Sequence, residues 1–265
     1  MLYNAKEQKL ILSNMQIDYI SFGKGTKPLI MIQGLNTRGI KGASALLAYM
    51  YRIFAEEYKV YLFDRRPELF DGITVRDFAS DIAAAMDALG IINADVIGVS
   101  QGGMIAQYLA IDRPDLVNRL VLAVTLSQNN ETVKKVIDNW IILTEQGDMK
   151  QLIEDMAEKM YSEAYLTKYK PFMPLLTVMQ KPKDIHRFII LAKSCLTCNS
   201  YEELAQIHCP VFVIGGQQDK VVGGHASEEI AQRLGCKIFM YEQLGHAAYE
   251  EAKDFNKRIY DFLKE

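Results

Sequence analysis

No apolar run in this chain approaches the roughly 20 residues that a membrane-crossing helix needs. The opening residues, Met1-Leu2-Tyr3-Asn4-Ala5-Lys6-Glu7, lack the apolar core of a secretory signal. A cytoplasmic location without membrane attachment is the expectation. Cysteine is scarce, with four in 265 residues, and only Cys195 and Cys198 form a C-x-x-C pair. A zinc site needs four ligands, or three and an open position, and Cys209 and Cys236 stand apart without metal-spaced histidines. All four read as packed or incidental thiols, and no metal is expected. Positive charge is not in excess either: the net charge is -3 and the lysines are scattered among acidic neighbours. That leaves no basic surface for a phosphate backbone, so nucleic acid is not an expected partner. Tandem repeats and low-complexity tracts are missing, and nothing in the sequence indicates an oligomeric state.

What the chain has is apolar material for one substantial core, 49% of its residues, in an alternating pattern. Lys9 to Leu12 and Gln16 to Phe22 read as strands joined at Ser13-Asn14, and Leu29 to Gln33 as a buried strand. A helix is expected from Ala43 to Glu56, then a strand from Lys59 to Phe63. Thr74, with Asp77 three residues later, signals a capped helix running through Leu89 and stopping at Gly90. Leu120 to Val124 is a further apolar strand. Strands alternating with helices imply a parallel sheet covered on both faces. From 127 to 199 the strand pattern stops. Several helices follow, broken at Gly147, Pro171, Pro174 and Pro182. Val133, Val136, Ile137, Trp140 and Ile141 form one apolar stripe; Met149, Leu152, Ile153, Met156 and Met160 form another. Ser200-Tyr201-Glu202-Glu203 resembles a capping box that returns the chain to the sheet.

Chemistry is concentrated at Gly98-Val99-Ser100-Gln101-Gly102, a G-x-S-x-G pentapeptide between the apolar run Ala94 to Ile97 and a helix-prone stretch from Gly103. Strand, sharp turn and helix would lift Ser100 onto a tight bend and aim a helix N-terminus at it. Ser100 is the candidate nucleophile. A serine hydroxyl is weak near neutral pH and needs an imidazole to take its proton and a carboxylate to orient that imidazole. Of four histidines, His246 sits in a small-residue loop between the strand Lys237 to Tyr241 and a C-terminal amphipathic helix carrying Phe255, Ile259, Phe262 and Leu263. Asp219 ends the buried run from Pro210 that breaks into Gly215-Gly216. His186 and His208 read as structural, and His225 as helix-start chemistry before Ser227-Glu228-Glu229. Asp64 is a runner-up acid whose expected work is hydrogen-bonding nearby backbone. Asp95 lies at the wrong end of its strand.

With Gln33-Gly34-Leu35-Asn36, Phe63-Asp64-Arg65-Arg66 and the order Ser100, Asp219, His246, the chain resembles the α/β-hydrolase family over nearly its whole length. The resemblance implies an α/β fold with a mostly parallel sheet, helices on both faces and a helical cap insertion. The core would comprise 1–126 and 200–265, and the cap 127–199. It implies that the backbone N–H groups of Leu35 and Gln101 form an oxyanion hole. One departure stands out: Gln33-Gly34 occupies the place of a common His-Gly pair, so packing behind that turn is expected to differ.

A cap over the sheet's active edge would roof a pocket, and Asn36, Trp140, Met156 and Phe172 are the candidate substrate-contacting residues, with Tyr165 near them. The expected activity is cofactor-free serine hydrolysis of a small ester, thioester or lactone with an apolar acyl portion. Carbon-carbon bond hydrolases, perhydrolases and prolyl aminopeptidases use the same triad and remain alternatives. The last would want an acidic cluster, for which Glu131, Glu145, Asp148, Glu154 and Asp155 are available. Dehalogenases and epoxide hydrolases place Asp where this chain has Ser100. Some members of the fold bind a small ligand and signal instead of turning it over, and that class also stays open.

Overall fold

A run of aliphatic residues without polar alternation can form a strand only if both of its faces are covered, and the central strands of one sheet satisfy that condition here. The computed structural model describes residues 2–13, 15–172 and 180–265. Its strands are Lys6–Ile11 (β1), Gln16–Phe22 (β2), Lys27–Ile32 (β3), Tyr58–Phe63 (β4), Ala94–Val99 (β5), Val117–Ala123 (β6), Val211–Gly216 (β7) and Lys237–Tyr241 (β8). They form one eight-stranded sheet in the order β1-β2-β4-β3-β5-β6-β7-β8. β1 and β2 pair antiparallel, as do β2 and β4, and every later pairing is parallel. β1 begins ahead of the expected Lys9. It is an edge strand exposed along most of its length, so ladder bonds rather than alternating burial define it. The expected joint residue Asn14 lies outside the described residues, as does Pro174.

Val75–Ala88 (α2) and Gln101–Asp112 (α3) pack on one face of the sheet, and Ser44–Met50 (α1) on the other. The α2 start follows its sequence signal: Thr74 Oγ1 accepts from the Asp77 N–H at 3.1 Å, and Asp77 Oδ2 accepts from the Thr74 N–H at 2.8 Å. Leu89 closes the helix, and Gly90 takes φ 64°. α1 is shorter than expected. After Met50 the chain tightens into a 3-10 turn at Arg52–Phe54, which buries Phe54 and lets the Ala55 carbonyl accept from the Lys24 N–H.

Between β6 and β7 run Glu131–Glu145 (α4), Met149–Met160 (α5), Glu163–Tyr169 (α6) and Ile185–Cys195 (α7). Gly147, at φ 74°, separates α4 from α5. The two ends of this segment meet. Gln128 and Asn199 form an antiparallel bridge, and the Ser200 N–H donates to the Ser127 carbonyl at 2.7 Å. Ser200 does not cap the following 3-10 helix: its buried hydroxyl donates to Gln107 Oε1 at 2.7 Å. A fully enclosed hydroxyl needs a partner more than an exposed turn needs a cap. After β7 come Ala226–Leu234 (α8), Ala248–Glu251 (α9) and Phe255–Leu263 (α10). Phe255, Ile259, Phe262 and Leu263 are all buried, each contributing about 1.5–3 kcal/mol. No helix among the described residues is long and apolar enough to cross a membrane.

Candidate active site

Parallel strands present their carboxyl ends to one edge, and the register aligns those ends: Ile32 lies beside Gly98, Val99 beside Ala123, Ala123 beside Ile214, and Gly216 beside Tyr241. The loops after β3, β5, β7 and β8 therefore converge. At the end of β5, Ser100 adopts φ 54° and ψ -120°, a conformation that costs a residue with a Cβ about 1–3 kcal/mol. Flanking glycines permit the bend. A Cβ on Gly98 would stand 2.5 Å from the Gly102 carbonyl oxygen, and one on Gly102 would stand 2.0 Å from that of Ile32. The turn is fastened by the Ser100 N–H donating to the Ala123 carbonyl at 2.9 Å and by Thr125 Oγ1 donating to the Ser100 carbonyl at 2.7 Å.

Asp219 and His246 arrive from the β7 and β8 loops. Asp219 Oδ1 accepts from the backbone N–H groups of Val221 and Val222 at 2.8 and 3.0 Å, which aims Oδ2 at His246 Nδ1, 2.8 Å away. A carboxylate only accepts, so Nδ1 carries the proton and Nε2 is left as acceptor. Ser100 Oγ donates to that nitrogen at 2.9 Å. Both Asp219 and His246 are buried. The arrangement can move a proton from a hydroxyl to an imidazole whose tautomer is set from behind.

Gly34, after β3, lies against this serine: a Cβ there would come within 3.1 Å of the Ser100 Cβ. Leu35 follows it, and Gln101 is the first residue of α3. The changed packing expected behind Gln33 is a buried arginine. Arg65 Nη2 donates to the Gln33 carbonyl at 2.5 Å and to Gln101 Oε1 at 3.1 Å. Gln101 Nε2 in turn donates to the Leu191 carbonyl at 2.7 Å and to Ser194 Oγ at 3.1 Å, tying α3 to α7. Burial lowers the Arg65 guanidinium to about 10, which leaves it charged at neutral pH. The sequence alone assigns Arg65 no role; the available signal is the arginine pair directly after the strand-end Asp64.

Two cavities meet here. A chamber of about 40 Å³ is lined by Ser100, His246, Trp140 and Met104. Another of about 470 Å³ is lined by Asn36, Tyr165, Met31 and Leu62. Gly34, Leu35, Met156, Met160 and Tyr249 belong to both walls. Trp140 and Met156 are thus in the lining, and Asn36 also turns its Oδ1 to accept from the Gly39 N–H at 2.8 Å. Phe172 is a correction: it is 56% exposed and lines neither cavity, because the short 3-10 turn it closes leaves its ring at the surface. Trp140 Nε1 donates to Asp155 Oδ2 at 2.8 Å. Trp140→Phe is expected to lower stability by about 1 kcal/mol through loss of that bond, read as a lower denaturation midpoint with an unchanged m-value.

The remaining candidates fall elsewhere. His225 is exposed, its Nδ1 3.0 Å from Glu228 Oε2, and His186 and His208 are also exposed. Asp64 accepts from the N–H groups of Ile40 and Arg65 at 3.2 and 2.8 Å. Asp95 sits at the opposite strand end with Tyr58 and Asn118. Cys195 and Cys198 are buried, and that burial pushes each thiol up to about 12. None of Glu131, Glu145, Asp148, Glu154 and Asp155 lines either cavity.

RutD from Caulobacter sp. (strain K31) is 26% identical over 237 residues, 85% of this chain and 88% of that one. The 3-oxoadipate enol-lactonase 2 of Acinetobacter baylyi is 22% identical over 261 residues, 96% of each chain. The crystal structure of MGS-M2, an alpha/beta hydrolase enzyme from a Medee basin deep-sea metagenome library, superposes with a TM-score of 0.88 at 18% identity, covering 97% of this chain and 98% of that one. A family model described as the alpha/beta hydrolase fold matches residues 27–253. With the sheet order and the converging strand-end loops, these likenesses make the chain a member of the α/β-hydrolase family.

Proposed function

We propose that this protein is a serine hydrolase that cleaves a small ester, thioester or lactone with an apolar acyl portion through an acyl-enzyme. The observation that carries the reading is the continuous hydrogen-bonded line Asp219, His246, Ser100, at 2.8 and 2.9 Å, facing a small chamber that adjoins a largely apolar cavity. Ser100 Oγ attacks the carbonyl as His246 Nε2 takes its proton, and Asp219 stabilises the imidazolium. The N–H groups of Leu35 and Gln101 receive the developing oxyanion. His246 returns the proton to the leaving group, then takes one from the water that releases the acyl group.

The segment 127–199 acts as the cap, supplying Trp140, Met156 and Met160 above Ser100. A substrate places its reacting carbonyl in the small chamber, whose volume is near that of one water molecule's share of the liquid, and its bulk in the large one. A lactonase reading within this class is supported by the similarity to an enol-lactonase across nearly the whole chain. Incubation with a fluorophosphonate, followed by peptide mass spectrometry, is expected to find one adduct per chain, on Ser100. A folded protein left unlabelled there would overturn the reading. Sustained turnover of a short-chain p-nitrophenyl ester separates an enzyme from a ligand receptor, and a prolyl amide run beside it separates the peptidase alternative.

A further inference from the structure

The cavity of about 470 Å³ carries a second chemical feature besides the proton-transfer line, which lies in the adjoining chamber. Tyr51, Tyr161, Tyr165, Tyr169 and Tyr249 all contribute to its wall, and Glu250 is the single charged side chain among its described lining residues. Glu250 Oε2 accepts from the Tyr161 hydroxyl at 2.6 Å. The neighbouring Tyr249 hydroxyl also favours the charged form of the same carboxyl. The charge that acts on Glu250 is the like charge of Glu251, and its accessible surface includes the cavity wall. Partial burial raises its carboxyl above the ordinary range, and no described cation offsets its charge. The tyrosines offer the carboxylate hydrogen bonds but no positive charge. Burial and the Glu250 charge hold Tyr165 and Tyr51 at about 12, so both remain neutral phenols.

A carboxylate that reaches the surface of a largely apolar, tyrosine-lined cavity gives that cavity a negative end, and aromatic walls attract cations through their ring faces. Glu251, its neighbour, is already engaged: Ser162 donates to it through its N–H at 2.9 Å and through its hydroxyl. Glu250 therefore stands as the acid with capacity left over. We infer that the large cavity binds an alkylammonium group of the substrate, with Glu250 as its counter-charge and the tyrosines as its walls. The inference rests on the proposed ester chemistry at Ser100: the neck formed by Leu35, Met156, Met160 and Tyr249 passes the carbonyl to the small chamber while the cation stays behind. The substrate class is an ester of a short apolar acid whose other portion carries a protonated or quaternary amine.

Choline and 3,3-dimethylbutan-1-ol have the same shape and differ in charge, so they isolate the cation. Calorimetric titration of each into the whole protein is expected to give a Kd at least roughly tenfold lower for choline, and Glu250→Gln is expected to collapse that ratio. A ratio near one in the unsubstituted protein, or a ratio unchanged by Glu250→Gln, overturns the inference. If that variant does not fold, Tyr161→Phe, which removes one donor to the carboxylate, must shift the ratio in its place. Turnover of p-nitrophenyl acetate by the same preparation reads the ester chemistry separately. Turnover without charge selectivity removes the ammonium site alone; selectivity without turnover removes the hydrolase reading and leaves a cation-binding cavity.

Discussion

Ser100→Ala is expected to lower kcat/KM for a short-chain ester by about 10⁴-fold or more, with little change in the denaturation midpoint. The hydroxyl is the only proposed nucleophile, so its removal leaves binding and oxyanion stabilisation as the residual catalysis. Stability is expected to hold because the turn does not depend on that oxygen. Its backbone groups are bonded to Ala123 and Thr125, and both neighbouring glycines are tight against main chain. The hydroxyl makes one bond, to a histidine already held by Asp219. Alanine at position 100 keeps the positive φ and so inherits the strain. Steady-state kinetics beside urea titration checks both halves. A variant retaining more than about 1% of activity would point to another nucleophile, because losses at a true nucleophile are far larger.

The strand-end loops were legible because each rests on a local rule. G-x-S-x-G needs its glycines for contacts within a few residues, and Thr74 with Asp77 caps through a bond three residues long. The buried strands announce themselves by uninterrupted apolar runs, since both faces meet helices. Where the reading departed from the structure, long-range partners had won. Ser200 satisfies its buried hydroxyl on Gln107, which lies far back in the sequence. The helix expected through Glu56 ends at Met50 because Phe54 and Ala55 answer to the core and to Lys24. Phe172 looked like a pocket residue from composition alone, yet orientation on a short turn is a tertiary property. Glu250 was invisible for the same reason. Nothing within α9 distinguishes it from Glu251; the distinction comes from Tyr161 and Ser162, far back in the sequence, which bond Glu250 and Glu251 respectively.

Arg65→Met is expected to cost roughly 10²–10³-fold in kcat with a much smaller change in KM, about the loss seen when one oxyanion donor is removed. The guanidinium joins two backbone turns that the mechanism needs in register. It grips the Gln33 carbonyl, one residue before Gly34, and the side chain of Gln101, whose own N–H is proposed to face the oxyanion. Without it the Leu35 turn and the start of α3 lose their common tether, and a displacement of a few tenths of an ångström spoils hydrogen bonds that strengthen only in the transition state. Global stability is a weaker readout, because replacing a buried charge by an apolar side chain of similar volume is often neutral or favourable. That balance is close here: Nε and Nη1 of Arg65 find no partner among the described residues, and Phe78 lies under the guanidinium with its ring centroid at 5.7 Å. Arg65→Lys keeps the charge but not the planar fork that reaches both acceptors, so it is expected to fall between the two. The discriminating measurement is the kcat and KM split across the three proteins, taken with the rate of fluorophosphonate labelling at Ser100. Labelling should slow in step with kcat, since phosphonylation builds charge on an oxygen in the same hole. Unchanged kcat in Arg65→Met would make the arginine a packing residue and leave the oxyanion turns held by the backbone alone.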